Sequence, residues 1–456
     1  MKAILVKLKP NRRAITSMMA LAAVLAAGLV GGCSKTQRHL YSAMQDAPAA
    51  AQLKQFVDQK KLQAGGAANE APPGWAPFLA AAEAGDWLTV SNSFNQLSQQ
   101  RLHGTRWEAA KEILGAFEAF DEGDEKYAAA FGRDIVASIP PGSIYFGGTD
   151  PGRFVVTAMC RSQVDGDPFF VLTQNALADS TYLDYLRQMY GSKLYIPSPE
   201  DTQRCFQDYS ADAQKRLQDH QLRPGEDVQM DASGHIRVSG QIAVMQINGL
   251  LARIIQDKNP DREVYLEESF PLDWMYPQLE PHGPIFKLNR QPSATLSDDV
   301  VQADHDYWAK YIQPMIGGWL TDETSVATVC SFAEKTFGRH DFTGFQGDRR
   351  FVENDYAHKM FSKLRTSIAG LYAWRAGQAT SAVDKERMAA SADLAFRQAW
   401  ALCPYEPEAM YGYVSFLMGQ NRVGEAIQIA ETTSQLPPAK GDSQVKQLLM
   451  QLKRNR

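Results

Sequence analysis

The chain has 456 residues, too many for one small domain and suited to two or three. Hydrophobic residues make up 44% and charged residues 22%, ordinary globular usage with enough apolar material for real cores. The net charge is −5, and from Cys33 onward 42 Lys and Arg stand against 52 Asp and Glu. A mildly acidic chain without a basic stripe argues against nucleic acid as a partner.

The N-terminus carries five cations (Lys2, Lys7, Lys9, Arg12, Arg13) and no acid before an apolar run from Ala14 to Val30. Leu29-Val30-Gly31-Gly32-Cys33-Ser34 follows. This is the order of a signal peptide: n-region, h-region and small-residue cleavage site. The apolar run is short for a membrane span, and no run of 18 or more apolar residues follows it. The cysteine resembles the acceptor of a bacterial lipobox. The expectation is therefore residues 1–32 as signal peptide and lipid attachment at Cys33, since two or more acyl chains anchor stably. Ser34 after the cysteine resembles the sorting pattern for the outer membrane, so the expected address is the bacterial envelope, facing the periplasm. The other four cysteines, Cys160, Cys205, Cys330 and Cys403, allow three full pairings; buried free thiols are the alternative.

Residues 33–73 are rich in Ala, Gln, Lys and Gly, with Gly65-Gly66 and Pro72-Pro73, and read as a tether with some helix in it. Residues 74–105 read as a helical hairpin turning at Ala84-Gly85-Asp86. Helices are expected near Arg106–Phe117 and Tyr127–Ile139. The period then changes. Ser143–Phe146, Phe169–Leu172, Glu263–Leu266 and Pro284–Leu288 read as strands. Phe154–Cys160, Thr181–Tyr190 and Gln241–Gln256 read as helices between them. Strands alternating with helices predict an α/β domain at 106–292 with a mostly parallel, Rossmann-like sheet covered on both faces.

The remainder, 293–456, reads as helical, with a long helix at Tyr356–Gly377. Ala392, Phe396, Ala399 and Pro404 match the second helix of a tetratricopeptide repeat. Thirty-four residues on, Ala426, Leu436 and Pro438 recur in phase with Ala392, Leu402 and Pro404. The match is degenerate, with Ala430 where an aromatic is usual and Thr433 in place of alanine. One and a half to two repeats are expected at about 356–440, too few for an independent solenoid and therefore docked on the α/β domain.

Pro141–Phe154 (Pro-Gly-Ser-Ile-Tyr-Phe-Gly-Gly-Thr-Asp-Pro-Gly-Arg-Phe) and Leu172–Asp179 (Leu-Thr-Gln-Asn-Ala-Leu-Ala-Asp) form one recognisable block. Trp274-Met275-Tyr276-Pro277 and His282–Leu288 form another. Together they resemble the extracytoplasmic tail of an uncharacterised multi-pass membrane family related to protein O-mannosyltransferases. Members of that family often end in tetratricopeptide repeats. The resemblance covers roughly 106–456. The multi-span half, where glycosyl transfer would occur, has no counterpart here, so the resemblance implies the soluble architecture and not the transferase activity.

Ligands of parallel α/β sheets bind beyond the carboxyl ends of the strands. Three polar clusters fall there: Thr149, Asp150 and Arg153; Thr173, Gln174 and Asn175, with Asp179 nearby; and Glu267, Glu268 and Ser269. Neighbouring strands would bring all three to line one cleft, with the residues of the first two as the candidate ligand contacts, able to hold a hydroxylated or charged group such as a sugar. The plainer alternative is structural. Asp150-Pro151 is a helix-cap arrangement, Gly147-Gly148 eases a tight turn, and Arg153 pairs with Asp150. No catalytic motif, P-loop, dinucleotide fingerprint or metal-ligand spacing occurs, so neither cofactor nor metal is expected. The leading expectation is a non-catalytic envelope scaffold with a protein partner. The alternative is a glycan- or lipid-linked-sugar-handling protein.

Overall fold

The computed structural model describes residues 53–60, 75–99, 104–148, 151–160, 169–223, 225–230, 236–267 and 274–454. The expected signal peptide (1–32), Cys33, and the candidate residues Thr149, Asp150, Glu268 and Ser269 lie outside the described residues. Residues 53–60 are helical (α1) and precede the hairpin of α2 (Trp75–Ala84) and α3 (Trp87–Gln99). Its apolar face is built from rings: Trp75 sits edge-on to Phe78, and Phe94 stacks on Trp107 at 4.4 Å. Trp107 belongs to α4 (Thr105–Glu122), which is followed by α5 (Glu125–Ser138), capped by Asp124 through Lys126 N.

The sheet begins with β1 (Ile144–Gly147), fully buried. The chain makes a π-helical turn (Pro151–Val155) running into the short α6 (Val156–Met159), then β2 (Phe170–Thr173) and α7 (Ser180–Tyr190). Next come α8 (Pro199–Gln218), a separate two-stranded hairpin of β3 (Asp227–Met230) and β4 (Ile236–Ser239), and α9 (Gly240–Lys258). A reciprocal capping box of Ser198 and Asp201 starts α8. Then come β5 (Val264–Leu266), β6 (Leu279–His282) and β7 (Ile285–Leu288).

The five-stranded sheet has the order β2-β1-β5-β7-β6. β1 pairs in parallel with both β2 and β5, while β7 is antiparallel to β5 and to β6. The sheet is therefore mixed, which corrects the expectation of a mostly parallel, Rossmann-like one. The cause is local. His282 pairs with Ile285, so Gly283-Pro284 is a two-residue loop, and Gly283 takes φ 59°. A glycine at the first central position suits a tight hairpin turn, and a hairpin can only return antiparallel. β6 escapes notice in the sequence because Pro281 interrupts it. It is an edge strand, where a missing N–H is tolerated.

The other edge is closed differently. On β2 the outward Val171 N–H donates to Tyr190 Oη at 3.1 Å, and that hydroxyl donates back to Val171 O at 2.8 Å. Thr173 N–H donates to Tyr182 Oη at 2.6 Å. Two tyrosines of α7 thus take the place of a sixth strand.

The C-terminal region is helical, as expected: α10 (Asp298–Ile316), α11 (Val326–Ala333), α12 (Arg349–Glu353), α13 (Asp355–Gln378), α14 (Ala382–Leu402), α15 (Pro407–Gly419), α16 (Val423–Gln435) and α17 (Ser443–Arg454). α13 and α14 form a long antiparallel pair, tied by Ser362 Oγ to Ala399 O at 2.8 Å and by Arg365 Nε to Gln398 Oε1 at 2.8 Å. Arg365 and Asp304 of α10 make a fully buried ion pair in which one guanidinium nitrogen, Nη1, donates to both carboxylate oxygens at 2.9 and 2.8 Å, and Tyr372 Oη adds a bond to Asp304 at 2.9 Å.

The helical region packs on the sheet region through α5, α12 and α13. Two helix caps are shared across this seam. Asp124, the cap of α5, accepts from Arg350 of α12 at 3.0 and 2.7 Å. Asp348, the cap of α12, accepts from Tyr127 Oη of α5 at 2.7 Å and pairs with Lys126. Tyr127 and Phe131 pack their rings against Phe361 of α13. Arg375 then donates to the carbonyls of Pro277 and Leu279, each at 3.0 Å, pinning the start of β6. Cys160, Cys205, Cys330 and Cys403 are buried free thiols. Among the described residues, no helix is long and apolar enough to cross a membrane.

Candidate functional site

Parallel pairing puts the carboxyl ends of β1, β2 and β5 side by side, so the polar residues that follow them meet. They meet on the main chain of one residue, Gly148. Gly148 N–H donates to Glu267 Oε2 at 2.8 Å, and Gly148 O accepts from Asn175 Nδ2 at 2.9 Å. Glu267 is itself held in the ladder by its N–H bond to Phe146 O at 3.0 Å, and it is 2% exposed.

The chain can turn so tightly here because two glycines leave room. A Cβ on Gly152 would lie 1.8 Å from the Glu267 carboxyl, and one on Gly147 would lie 2.8 Å from Gly152 O. Neither position accepts any side chain without displacement of the backbone or of the carboxylate. Tyr145 Oη, buried beneath the turn, donates to Gly152 O at 2.9 Å.

Asn248 on α9 completes the arrangement. Its Oδ1 accepts from Ala178 N at 2.6 Å, and its Nδ2 donates to Asn175 O at 2.9 Å. It is 2% exposed. Sequence reasoning passed over this residue. The signal available was one amide on the otherwise apolar stripe Val244–Leu251–Ile255, where a polar side chain must find a buried partner.

The remaining candidates are placed as follows. The Arg153 guanidinium lies over the Phe154 ring at 4.1 Å, and its carbonyl accepts the Thr157 hydroxyl. Thr173 and Gln174 are buried, and Asn175 is half-buried with its amide on Gly148. Asp179 caps α7 by accepting from Thr181 N at 2.8 Å. Burial raises the pKa of the Tyr182 hydroxyl, keeping it protonated against the β2 edge. These groups are arranged to fix the turn after β1: carboxylate and amide heads both point at main chain.

The arrangement brings the second and third polar clusters together through Gly148. Among the described residues no group of three or more His, Cys, Asp or Glu is placed to hold a metal ion. Compared with family models, with curated proteins and with solved structures, the chain matches none.

Proposed function

We propose that this chain is a lipid-anchored scaffold of the bacterial envelope, tethered through Cys33 and presenting its C-terminal helices to another envelope protein. The observation that carries this reading is the layered order of α14, α15 and α16. Residues 34 positions apart play the same part in it: Ala392 and Ala426 are both fully buried, as are Leu402 and, at 1% exposure, Leu436. That is the packing logic of paired-helix repeats, whose stacked helices offer a broad binding face.

The departures from the repeat pattern have physical reasons. Thr433, where alanine is usual, donates to Pro404 O at 2.8 Å and accepts from Trp400 Nε1 at 3.2 Å. The hydroxyl thus closes a polar gap between layers. Phe396 stacks on Tyr413 of α15 with rings 5.7 Å apart and 13° from parallel. Tyr411, Ser415 and Met418 share the half-exposed face of α15, and α17 closes the stack with Val445 and Leu452 inward.

The resemblance to the soluble tail of the multi-pass membrane family supports the same proposal. An outer-membrane address facing the periplasm follows from Ser34. A tether also raises the local concentration of membrane-bound partners.

The test has two arms. Mass spectrometry of the N-terminal peptide and envelope fractionation should find an acylated Cys33, and Cys33→Ala should release the protein from membranes. Photo-crosslinkers placed at Tyr411 and Met418 should then capture one defined protein, and crosslinkers on the exposed face of α8 should not. An unacylated cytosolic protein overturns the anchor. Recovery of bound oligosaccharide without a protein partner favours the glycan-handling alternative.

A further inference from the structure

Cations gather on the sheet region at the pole opposite the Gly148 turn. Gly191 ends α7 with φ 53°, and its N–H donates to Arg187 O. A tight turn (Gly191–Lys193) then leads to Tyr195. Tyr195 N–H donates to Asn259 Oδ1 at 2.9 Å, and Asn259 Nδ2 donates to Tyr195 O at 3.2 Å and to Ile255 O at 2.8 Å. Asn259 thus fastens this loop to the last turn of α9. Between the two helix ends lies a depression of about 460 Å³ whose walls include Arg187, Lys193, Tyr195, Lys258 and Asn259. Small-molecule sites have volumes of about 300–1,000 Å³. Arg262 marks its place in the fold, donating to Lys193 O and to Gly142 O, just before β1, each at 2.7 Å.

We propose that this depression binds a small phosphomonoester carried on a ring, a sugar phosphate or a nucleoside monophosphate. Arg187, Lys193 and Lys258 would hold the phosphate, and the Tyr195 ring would lie against the body of the ligand. This is a ligand site apart from the helical face assigned above to a protein partner. Helix carboxyl ends repel anions, but here those carbonyls are covered. Arg290 donates to Gln256 O at 2.9 Å and to Asn259 O at 2.5 Å, and Asn259 covers Ile255 O. A carbonyl partner satisfies the hydrogen bonds of Arg262 and Arg290 and leaves their charge in place. The acids nearby are engaged at the margin: Asp184 with Arg187, Asp201 with Arg204, and Asp257 with Arg253. Glu200, near Arg187, and Asp261 are exposed. The lining itself holds three cations and, among the described residues, no acid. A phosphomonoester carries about −1.5 to −2 at neutral pH, a closer match to that lining than a single carboxylate. The volume far exceeds a bare phosphate, so the ligand has a body. Tyr195 offers it a 37% exposed ring, fixed by its hydroxyl donating to Asp201 at 2.5 Å.

The test is titration calorimetry on the mature chain at low salt, with glucose 6-phosphate, adenosine monophosphate, inorganic phosphate and glucose as probes. One of the two phosphorylated rings should bind with a dissociation constant of about 1 mM or below, and the one that does names the body. Lys258→Glu should weaken that binding about tenfold or more, and so should raised salt. Lys446→Glu, an exposed charge change on α17, should leave it unchanged. Lys258 is exposed, so its variant should keep the wild-type melting temperature. No binding by either phosphorylated ring overturns the site. So does binding unchanged in Lys258→Glu, or weakened equally by Lys446→Glu. Glucose bound as tightly as glucose 6-phosphate removes the role of charge, and inorganic phosphate bound as tightly as either ring removes that of Tyr195. Vesicles of phosphatidylglycerol separate a membrane headgroup from a soluble ligand: co-sedimentation with them, without competition by either phosphorylated ring, overturns the soluble ligand.

Discussion

At the carboxyl edge of the sheet, Glu267, Asn175 and Asn248 direct their hydrogen bonds at main chain; in the helical bundle, Asp304, Arg365, Gln398 and Tyr372 direct theirs at one another. The first network shapes a turn. The second joins three helices, α10, α13 and α14, and has no backbone to fall back on. Side chains that satisfy backbone leave behind a polar group water can reach after small movements. Side chains that satisfy each other in a dry core leave behind a charge.

The sharpest way to break this contrast is Asp304→Asn. Arg365 would remain fully buried without its counter-charge, and a loss of about 3–5 kcal/mol is expected in denaturant unfolding. Asp304→Leu combined with Arg365→Met should recover most of that loss. A double variant no better than the single would show that shape, not charge, governs the bundle.

Next is Gly152→Ala at the sheet edge. Its Cβ would collide with the Glu267 carboxyl, and overpacking of this kind costs about 1–3 kcal/mol. Adding Glu267→Ala should lessen the added cost of Gly152→Ala, a coupling that a double-mutant cycle reads directly. Strict additivity would mean that the turn moves bodily instead.

The smallest expected effect is a pH dependence in the bundle. Glu406 caps α15 by accepting from Ala409 N at 3.0 Å, and burial, reinforced by Glu408, raises its pKa to about 7. A carboxyl raised in the folded state favours folding while protonated, and that contribution fades as pH rises from about 4.5 through about 7. Glu406→Gln keeps the cap and removes the titration. Its melting temperature should exceed that of wild type at pH 8 and approach it near pH 5. A difference independent of pH would refute the assignment.

The sequence made the sheet edge partly legible and the bundle network hardly at all, for physical reasons. Strand ends announce themselves: Gly147-Gly148 after an apolar run marks where β1 stops, and residues just past such ends are natural candidates. Glu267 and Asn175 were found that way. Asn248 was not, because its partners lie about 70 residues upstream. Asp304 and Arg365 are 61 positions apart on different helices, and nothing in either local pattern signals burial. The 34-residue recurrence of Ala392 and Ala426 was legible because small residues are demanded wherever helices approach closely. Strand polarity was not, since it depended on a single Gly-Pro hairpin turn. The helix α8 is absent from the expected elements, although the capping box of Ser198 and Asp201 marks its start.

The tyrosine pair on β2 has a consequence for assembly. Tyr182 and Tyr190 occupy outward amides that a visiting strand would need, and Pro281 removes a donor from the opposite margin. Neither border of the five-stranded sheet invites a neighbour to continue it, so copies of this protein at high concentration are guarded against zipping into ribbons.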